Sequence, residues 1–205
     1  VKNITIVAGH KAESIKKLGY KTIENLEFES TNMVESLFFS DKFFDQLNDD
    51  LIVSYGDIIY QYSNLTKILS SLDPISIMID TNWLELWKIR MENPIDDAES
   101  LKLDENNNII EIGKKINNLN SVEGQYTGLI KIKKEKVFEL RRYYNSSYNN
   151  FDKNMYLTEF LQSLIDNGEK VSASLVNNGW LEFDNISDFE IYEKLLKEKR
   201  LNKFF

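Results

Sequence analysis

The sequence contains no cysteine and only one histidine among its 205 residues. Without cysteine the chain forms no disulfide, offers no thiolate nucleophile and cannot build a zinc site on cysteine ligands. The single histidine, His10, excludes a metal site made of several histidines and limits general-base chemistry by imidazole. The chemistry left open needs neither a thiolate nor a group of imidazoles.

Long apolar runs are also missing, and none approaches the roughly 20 residues that a membrane-spanning helix needs. No signal peptide is visible. The formal net charge of -8 argues against nucleic acid as the partner. The 42% hydrophobic and 12% aromatic fractions are typical of a globular protein, and the length suits one α/β core or one domain with a small lobe. We expect a cytoplasmic enzyme or binding protein.

The most informative segment is the apolar run at residues 51–60, which Gly56 and Asp57 interrupt. Such a run is typical of a buried parallel strand, and Gly56 would let the backbone turn at its carboxyl end. Open α/β sheets bind ligands at those ends. A carboxylate there commonly holds a divalent cation against a phosphate-bearing ligand. The alternative is an Asp57 that only begins a turn.

A second strand pattern, at residues 178–184, stops at Asp184. An amphipathic helix follows, with Asn185 or Ser187 as its capping residue. Mg²⁺ is commonly bound by one or two carboxylates together with phosphate oxygens and water. Two aspartates from distant parts of the sequence, Asp57 and Asp184, suit such a site.

Strand and helix patterns alternate along the first 80 residues, and this βαβαβ order implies a parallel sheet. The helix pattern at residues 31–39 has a cap at Ser30 or Thr31. Residues 100–112 predict a β-hairpin with its turn at residues 104–108. Further strands are expected at residues 4–9, 21–25, 75–80, 126–132 and 171–176, and helices at residues 13–18, 63–72 and 157–166.

Four segments, taken in order and spacing, resemble a known family over the whole chain. They read Ser-Tyr-Gly-Asp (54–57), Glu-Ile-Gly-Lys-Lys (111–115), Gly-Gln-Tyr-Thr-Gly-Leu (124–129) and Trp-Leu-Glu-Phe-Asp (180–184). They resemble the nucleotidyltransferases that include sugar-nucleotide pyrophosphorylases and small cytidylyltransferases. The resemblance implies an α/β fold in a single domain: a Rossmann-like, mixed and mostly parallel sheet flanked by helices, with a small β-hairpin lobe.

The resemblance also implies the catalytic residues. Asp57 and Asp184 correspond to the aspartates that hold the cofactor Mg²⁺. Lys115 matches the family lysine that grips the phosphoryl group of the acceptor, with Lys114 as its neighbour. A lysine ammonium is a compact point charge suited to phosphate oxygens. The alternative is a solvated lysine pair after a hairpin.

Nucleotide contacts fall, by the same resemblance, on Thr31, Asn32, Ser36 and Gly56. Plain helix capping explains the first three equally well. Residues 31–37 and 80–83 are similar to the branch of the family that acts on phosphocholine and phosphonates.

In that branch, the positions of Trp83, Tyr126 and Tyr156 shape the acceptor pocket. Core packing is the alternative for Trp83, because it shares a helix face with Trp87. Arg90 is a further candidate for an acceptor carboxylate or phosphate, with an ordinary ion pair as the alternative.

The activity implied by the resemblance is transfer of CMP from CTP to a phosphorylated or phosphonylated small molecule, with release of pyrophosphate. Acceptors of the phosphoglutamine, phosphocholine or aminoethylphosphonate type fit the branch. Their attacking oxygen is already anionic, so catalysis depends on positioning and charge stabilisation without a general base. A sugar-1-phosphate nucleotidyltransferase and a non-catalytic nucleotide-binding or assembly module remain as alternatives. The expected partners are CTP and the acceptor, without nucleic acid or membrane, and a homo-oligomer is possible.

One hallmark of the family is absent from the sequence, namely the glycine-rich loop with an arginine and a following lysine that cradles the nucleotide phosphates. Residues 9–13 correspond instead to the loop after the second family strand. We therefore expect that the first strand and its loop are missing at the N-terminus and that the 205 residues alone are inactive. The strand that begins at Ile4 would then have an unpaired edge that favours association.

Overall fold

The computed structural model describes residues 1, 3–39, 41–148 and 151–205. The strands are β1 Thr5–Ala8, β2 Lys21–Glu24, β3 Leu51–Ser54, β4 Ile58–Tyr60, β5 Ile75–Asp80, β6 Glu99–Leu103, β7 Ile109–Lys115, β8 Gln125–Ile132, β9 Ser172–Val176 and β10 Trp180–Glu182. The helices are α1 Ala12–Lys16, α2 Met33–Phe39, α3 Asp41–Phe44, α4 Tyr62–Leu69, α5 Trp83–Arg90, α6 Lys134–Ser147, α7 Leu157–Asp166 and α8 Ile186–Lys197. The expected α/β class is confirmed, and none of the helices within the described ranges is long and apolar enough to cross a membrane.

The chain divides into two compact units. The first unit comprises residues 1–49 and 134–160, and the second comprises residues 50–133 and 161–205. That residues 1–205 form one domain stays a prediction.

The first unit contains the parallel pair β1 and β2, joined by α1, and an aromatic cluster on α2 and α6. The Phe38 ring stacks on the Tyr144 ring with centroids 4.0 Å apart, and Phe160 packs edge-on against both rings. Stacked and edge-to-face pairs add to the gain from burying their apolar area. These contacts fasten the helices of the first unit to one another.

The start of α2 differs from the expectation of a cap at Ser30 or Thr31. The Thr31 hydroxyl instead donates to the Glu27 carbonyl at 2.9 Å and accepts from the Asn25 side chain at 2.9 Å. The Asn32 side chain accepts from the Met33 backbone N–H at 2.8 Å, and α2 begins at Met33.

The second unit is built on a four-stranded sheet with the order β3-β8-β5-β9. Strand β8 is antiparallel to both β3 and β5, whereas β5 and β9 are parallel. Three of the four strands therefore run in one direction, with β8 opposing them. The prediction that residues 51–56 form a buried parallel strand was wrong in its pairing. Within the described ranges β3 pairs only with the antiparallel β8, and its residues are half-buried or exposed.

Burial explains why β5 lies inside the sheet. All six of its residues are buried, as a near-continuous apolar run requires of a strand covered on both faces. Helices α4, α5 and α8 contribute Ile68, Leu86 and Leu195 to the core around it. A large apolar side chain that becomes fully buried stabilises the fold by roughly 1.5–3 kcal/mol.

Lys131, on β8, is a buried cation that fastens α4 to this sheet. Its Nζ donates to the carbonyls of Leu69 and Ser71, at 2.9 and 2.6 Å, and lies 3.4 Å from an Asp50 carboxylate oxygen. The ammonium thus satisfies carbonyls at the carboxyl end of α4, where a positive charge is favoured.

Two small antiparallel sheets complete the second unit. Strands β6 and β7 form the expected hairpin, and Asp104 organises its turn by accepting from the backbone N–H groups of Asn106 and Asn108 at 2.8 and 2.7 Å. Strand β10 pairs with β4. Helix α8 begins after Asn185, which forms a capping box with Asp188, so the expected Asn185 cap is confirmed.

Candidate functional site

The pairing of β4 with β10 brings together the two segments that carry the predicted metal ligands. Glu182 lies opposite Ile58 in this register, and the Phe183 backbone N–H donates to the Asp57 carbonyl at 2.9 Å. Asp57 therefore lies just before β4, and Asp184 follows β10 on the neighbouring chain segment. Asp184 follows the end of a strand, as the sequence predicts, whereas Asp57 lies three positions after the end of β3 and directly precedes β4.

Gly56 allows the turn before Asp57 without any special backbone conformation. Its φ is outside the left-handed region, and a Cβ added there would meet no atom within 4 Å. Neither the backbone conformation nor the available space therefore requires glycine at this turn. A nucleotide contact at Gly56 stays a prediction.

Arg90 joins three carboxylates beside the two strand ends. Its side chain is 0% exposed and forms ion pairs with Glu182 at 2.8 Å, Asp184 at 2.6 Å and Asp188 at 3.0 Å. The guanidinium also lies over the Trp87 ring, 5.0 Å from its centroid. Arg90 was predicted to bind the acceptor, but its donors are buried among carboxylates, so the ion-pair alternative is the one found.

Electrostatics at this cluster reflect burial as well as charge. Burial alone would lower the pKa of Arg90, but its hydrogen bonds to Asp188 and Glu182 raise that pKa above its ordinary value. Burial raises the pKa of Glu182 to about 7 against the opposing effect of Arg90, and the nearby charges of Asp184 and Asp57 raise it further.

The two aspartates have the donor atoms that Mg²⁺ needs. Asp57 is exposed, and its carboxylate makes no hydrogen bond or ion pair within the described residues. Asp184 uses Oδ2 for Arg90, and its Oδ1 has no protein donor in the same part of the chain. No group of three or more acidic or histidine residues suited to a metal occurs there either. Two carboxylates with phosphate oxygens and water fit Mg²⁺.

Two tyrosines connect this cluster to the hairpin. The rings of Tyr55 and Tyr126 meet edge to face with centroids 5.7 Å apart. Burial raises the pKa of Tyr55, and the charges of Glu99, Glu182 and Asp57 raise it further, so its hydroxyl lies within electrostatic reach of all three. The Tyr126 hydroxyl is buried and makes no hydrogen bond of ordinary geometry in the described chain. The neighbouring Tyr55 hydroxyl adds to the effect of burial in raising the pKa of Tyr126.

A glycine makes room for this tyrosine pair. Gly128 has a φ of +81°, and a Cβ added to it would lie 2.7 Å from the Tyr55 ring. Its carbonyl also accepts from the Tyr55 backbone N–H at 2.9 Å. Only glycine fits both the backbone conformation and the close approach of the ring.

The two candidate lysines on β7 differ in their surroundings. Lys114 is paired with Glu111 at 3.0 Å. Lys115 is exposed and lies opposite Glu99 in the hairpin register, and its ammonium has no hydrogen bond or ion pair with any described residue. Lys115 is the lysine that remains available to a phosphate.

Two aromatic residues predicted for the acceptor pocket, Trp83 and Tyr156, differ in how far they are buried. Trp83 is 3% exposed and packs edge to face on Trp87 with centroids 5.7 Å apart, which favours core packing. Tyr156 is 53% exposed and belongs to the first unit. A role for either in binding an acceptor stays a prediction.

The predicted nucleotide contacts of the first unit form a small polar network. Asn25, which is 1% exposed, donates to the hydroxyls of Thr31 and Ser36 at 2.9 and 3.1 Å. Asn32 donates from its side chain to the Asn154 carbonyl at 3.2 Å. Asn25 was not predicted as a site residue, although an asparagine that ends a short strand was a usable signal.

Asp80 is a second polar residue whose role was missed. It is 1% exposed, and its carboxylate accepts from the Asn82 and Asn178 backbone N–H groups at 2.8 and 3.0 Å and from Trp180 Nε1 at 3.0 Å. Burial nevertheless raises its pKa. Asp80 thereby fixes the loop before β10, and with it the approach of the chain to Asp184.

The chain is similar to known transferases in sequence and in fold. CTP:phosphoglutamine cytidylyltransferase of Campylobacter jejuni is 34% identical to this chain, over an alignment that covers 93% of this chain and 81% of that protein. No protein-family model matches the chain. Three solved structures share the fold. The inositol-1-phosphate CTP transferase of T. maritima has a TM-score of 0.69 and 22% identity, with 97% of this chain and 78% of that chain covered. The CTP:phosphocholine cytidylyltransferase of Streptococcus pneumoniae has a TM-score of 0.68 and 14% identity, with 96% of this chain and 79% of that chain covered. A putative glucose-1-phosphate thymidylyltransferase of Bacillus anthracis has a TM-score of 0.66 and 13% identity, with 95% of this chain and 76% of that chain covered.

Proposed function

Because the chain belongs to the nucleotidyltransferase family that includes CTP:phosphoglutamine cytidylyltransferase, we propose that it transfers CMP from CTP to a phosphorylated small molecule and releases pyrophosphate. The observation that carries this proposal is the 34% identity over nearly the whole chain. We take phosphoglutamine as the first acceptor to test, which would place the protein in bacterial capsule phosphoramidate synthesis. Phosphocholine and aminoethylphosphonate follow as acceptors of the same chemical class.

The residues of the second unit suit this reaction. Asp57 and Asp184 would hold Mg²⁺, which when bound neutralises charge on the phosphate oxygens. Lys115 would bind the phosphoryl oxygens of the acceptor, since its ammonium is exposed and unpaired with any described residue. Tyr126, whose ring packs edge to face against Tyr55, is proposed as a further residue of the acceptor pocket.

No proton has to be removed in the proposed step. An anionic oxygen of the acceptor's phosphoryl group attacks the α-phosphorus of CTP, a new P–O bond forms, and the bond to the departing pyrophosphate breaks. The chain then has to position two anions and offset their repulsion, as is general for phosphoryl-type transfers. A site of carboxylates, lysine and tyrosine with no thiolate is consistent with that demand.

Release of pyrophosphate tests the proposal. The protein as its gene encodes it is incubated with Mg²⁺, each of the four common nucleoside triphosphates, and phosphoglutamine, phosphocholine, aminoethylphosphonate or a sugar 1-phosphate. We expect release with CTP and one of the first three acceptors. Release only with a sugar 1-phosphate would favour that transferase instead, and tight nucleotide binding without release would favour a non-catalytic module.

A further inference from the structure

Arg90 occupies a position that substrate cannot reach but that directly adjoins a proposed metal ligand. Its guanidinium has 0% exposure, and Nη2 donates to Oδ2 of Asp184 at 2.6 Å. Building on the proposed function, we propose that Arg90 is a positioning residue that holds Asp184 by one carboxylate oxygen and leaves the other, Oδ1, as a single-oxygen ligand for the divalent cation.

The guanidinium holds three carboxylates through three different nitrogen atoms. Nη1 donates to Glu182 at 2.8 Å, Nη2 to Asp184 at 2.6 Å, and Nε to Asp188 at 3.0 Å. The nitrogens are fixed in one plane, so the three carboxylates have fixed positions relative to one another. A carboxylate held at one oxygen cannot rotate freely about its side chain.

The backbone of Asp184 is held by the same cluster. The other oxygen of Asp188, Oδ2, accepts from the backbone N–H groups of Asp184 and Asn185 at 3.0 and 3.3 Å. Asp188 is 1% exposed and belongs to the first turn of α8. Arg90 and Asp188 therefore fix both the side chain and the backbone of Asp184 between the end of α5 and the start of α8.

The two carboxylate oxygens of Asp184 differ in their protein contacts. The side chain of Asp184 is 43% exposed although its partner on Arg90 is fully buried. Oδ2 accepts from the guanidinium, whereas Oδ1 has no protein donor in the described chain. Residues that orient a metal ligand typically change metal affinity 10- to 100-fold when they are replaced.

Lysine cannot replace Arg90 in this role. It keeps the positive charge but has one nitrogen at the end of a flexible chain, so it cannot reach three carboxylates in the same geometry. We expect Arg90→Lys to weaken Mn²⁺ binding about 10- to 100-fold. The Mg²⁺ concentration for half-maximal turnover should rise by the same factor, with a smaller change in kcat at saturating Mg²⁺.

The test is a titration of the protein with Mn²⁺ alone, followed by the electron paramagnetic resonance of free Mn²⁺, with folding checked by circular dichroism. Asp184→Asn alters the proposed ligand and therefore shows whether the measured Mn²⁺ site includes Asp184. Asp188→Asn is a second variant that keeps Arg90, and we expect a smaller loss in the same direction. Lys131→Met is the control, since it also removes a buried cation paired with a carboxylate in the same unit.

The outcomes distinguish failure of the role of Arg90 from failure of the proposed metal site. Loss of affinity in Arg90→Lys, with unchanged affinity in Lys131→Met, supports the inference. Unchanged affinity in Arg90→Lys, while Asp184→Asn has lost it, overturns the inference alone. Equal losses in Arg90→Lys and Lys131→Met also overturn it, and unchanged affinity in Asp184→Asn overturns the metal site itself. Should Arg90→Lys fail to fold, Asp188→Asn is judged by the same comparison.

Discussion

Replacing Lys115 with alanine should impair the acceptor half of the reaction. Its ammonium is exposed and has no partner among the described residues, so the change removes no contact within that part of the fold. What would be lost is a charge-assisted hydrogen bond to the acceptor phosphate, worth about 1.5–3 kcal/mol. At 1.36 kcal/mol for each factor of ten, kcat/KM for the acceptor should fall roughly 10- to 150-fold. The KM for CTP should change much less.

Lys114→Ala is the matched control for this experiment. Lys114 is the neighbouring residue on the same strand, but it is paired with Glu111 on the protein surface. An exposed ion pair of this kind contributes at most about 1 kcal/mol to stability, and its loss should leave acceptor kinetics within about threefold. Steady-state kinetics at saturating CTP measure both variants. Equal kinetics for Lys115→Ala and the wild type would refute its assignment, and a large effect confined to Lys114→Ala would move the role to that residue.

Three further predictions concern stability and are read from thermal unfolding. Trp83→Ala should cost about 3–5 kcal/mol, which lowers Tm by roughly 6–20 °C; an unchanged Tm with a raised acceptor KM would place Trp83 in the binding pocket instead. Gly128→Ala should lower the free energy of unfolding by at least about 2 kcal/mol, because Gly128 has a positive φ and lies against the Tyr55 ring. Gly56→Ala is the control and should change that free energy by no more than about 0.5 kcal/mol. Equal effects of the two substitutions would contradict the structure. Asp80→Ala should cost at least about 3 kcal/mol because three buried donors lose their acceptor, and Asp80→Asn, which retains one acceptor oxygen, should cost less.

Local patterns carried enough information to predict much of the fold. Helix α7 was predicted with the bounds that it has, and the hairpin turn at Asp104 was predicted from its polar residues. Helix α6 was missed, although its buried Val137, Leu140 and Tyr144 are spaced three and four residues apart. Charged residues at positions 134–136, 139, 141 and 142 surround that stripe and obscured it.

The polar interior could not be read from the sequence in the same way. Arg90 meets carboxylates that lie 92 to 98 residues away along the chain, and no local spacing indicates such a contact. Asp80 likewise accepts from residues brought close by the pairing of β5 with β9. Trp83 was assigned to the acceptor through the resemblance of its segment, with core packing as the alternative, and its 3% exposure in the structure favours that alternative.

The transfer of CMP to an acceptor oxygen is tested most directly by following that oxygen. Phosphoglutamine labelled with ¹⁸O in its phosphoryl group is incubated with CTP, Mg²⁺ and the protein. The products are then separated, and the ¹⁸O content of each is measured by mass spectrometry. We predict a CDP-linked product that retains all of the label and pyrophosphate that contains none, with both products lost in Asp57→Asn. Label in the pyrophosphate, or CMP released without a linked product, would contradict attack by the acceptor on the α-phosphorus.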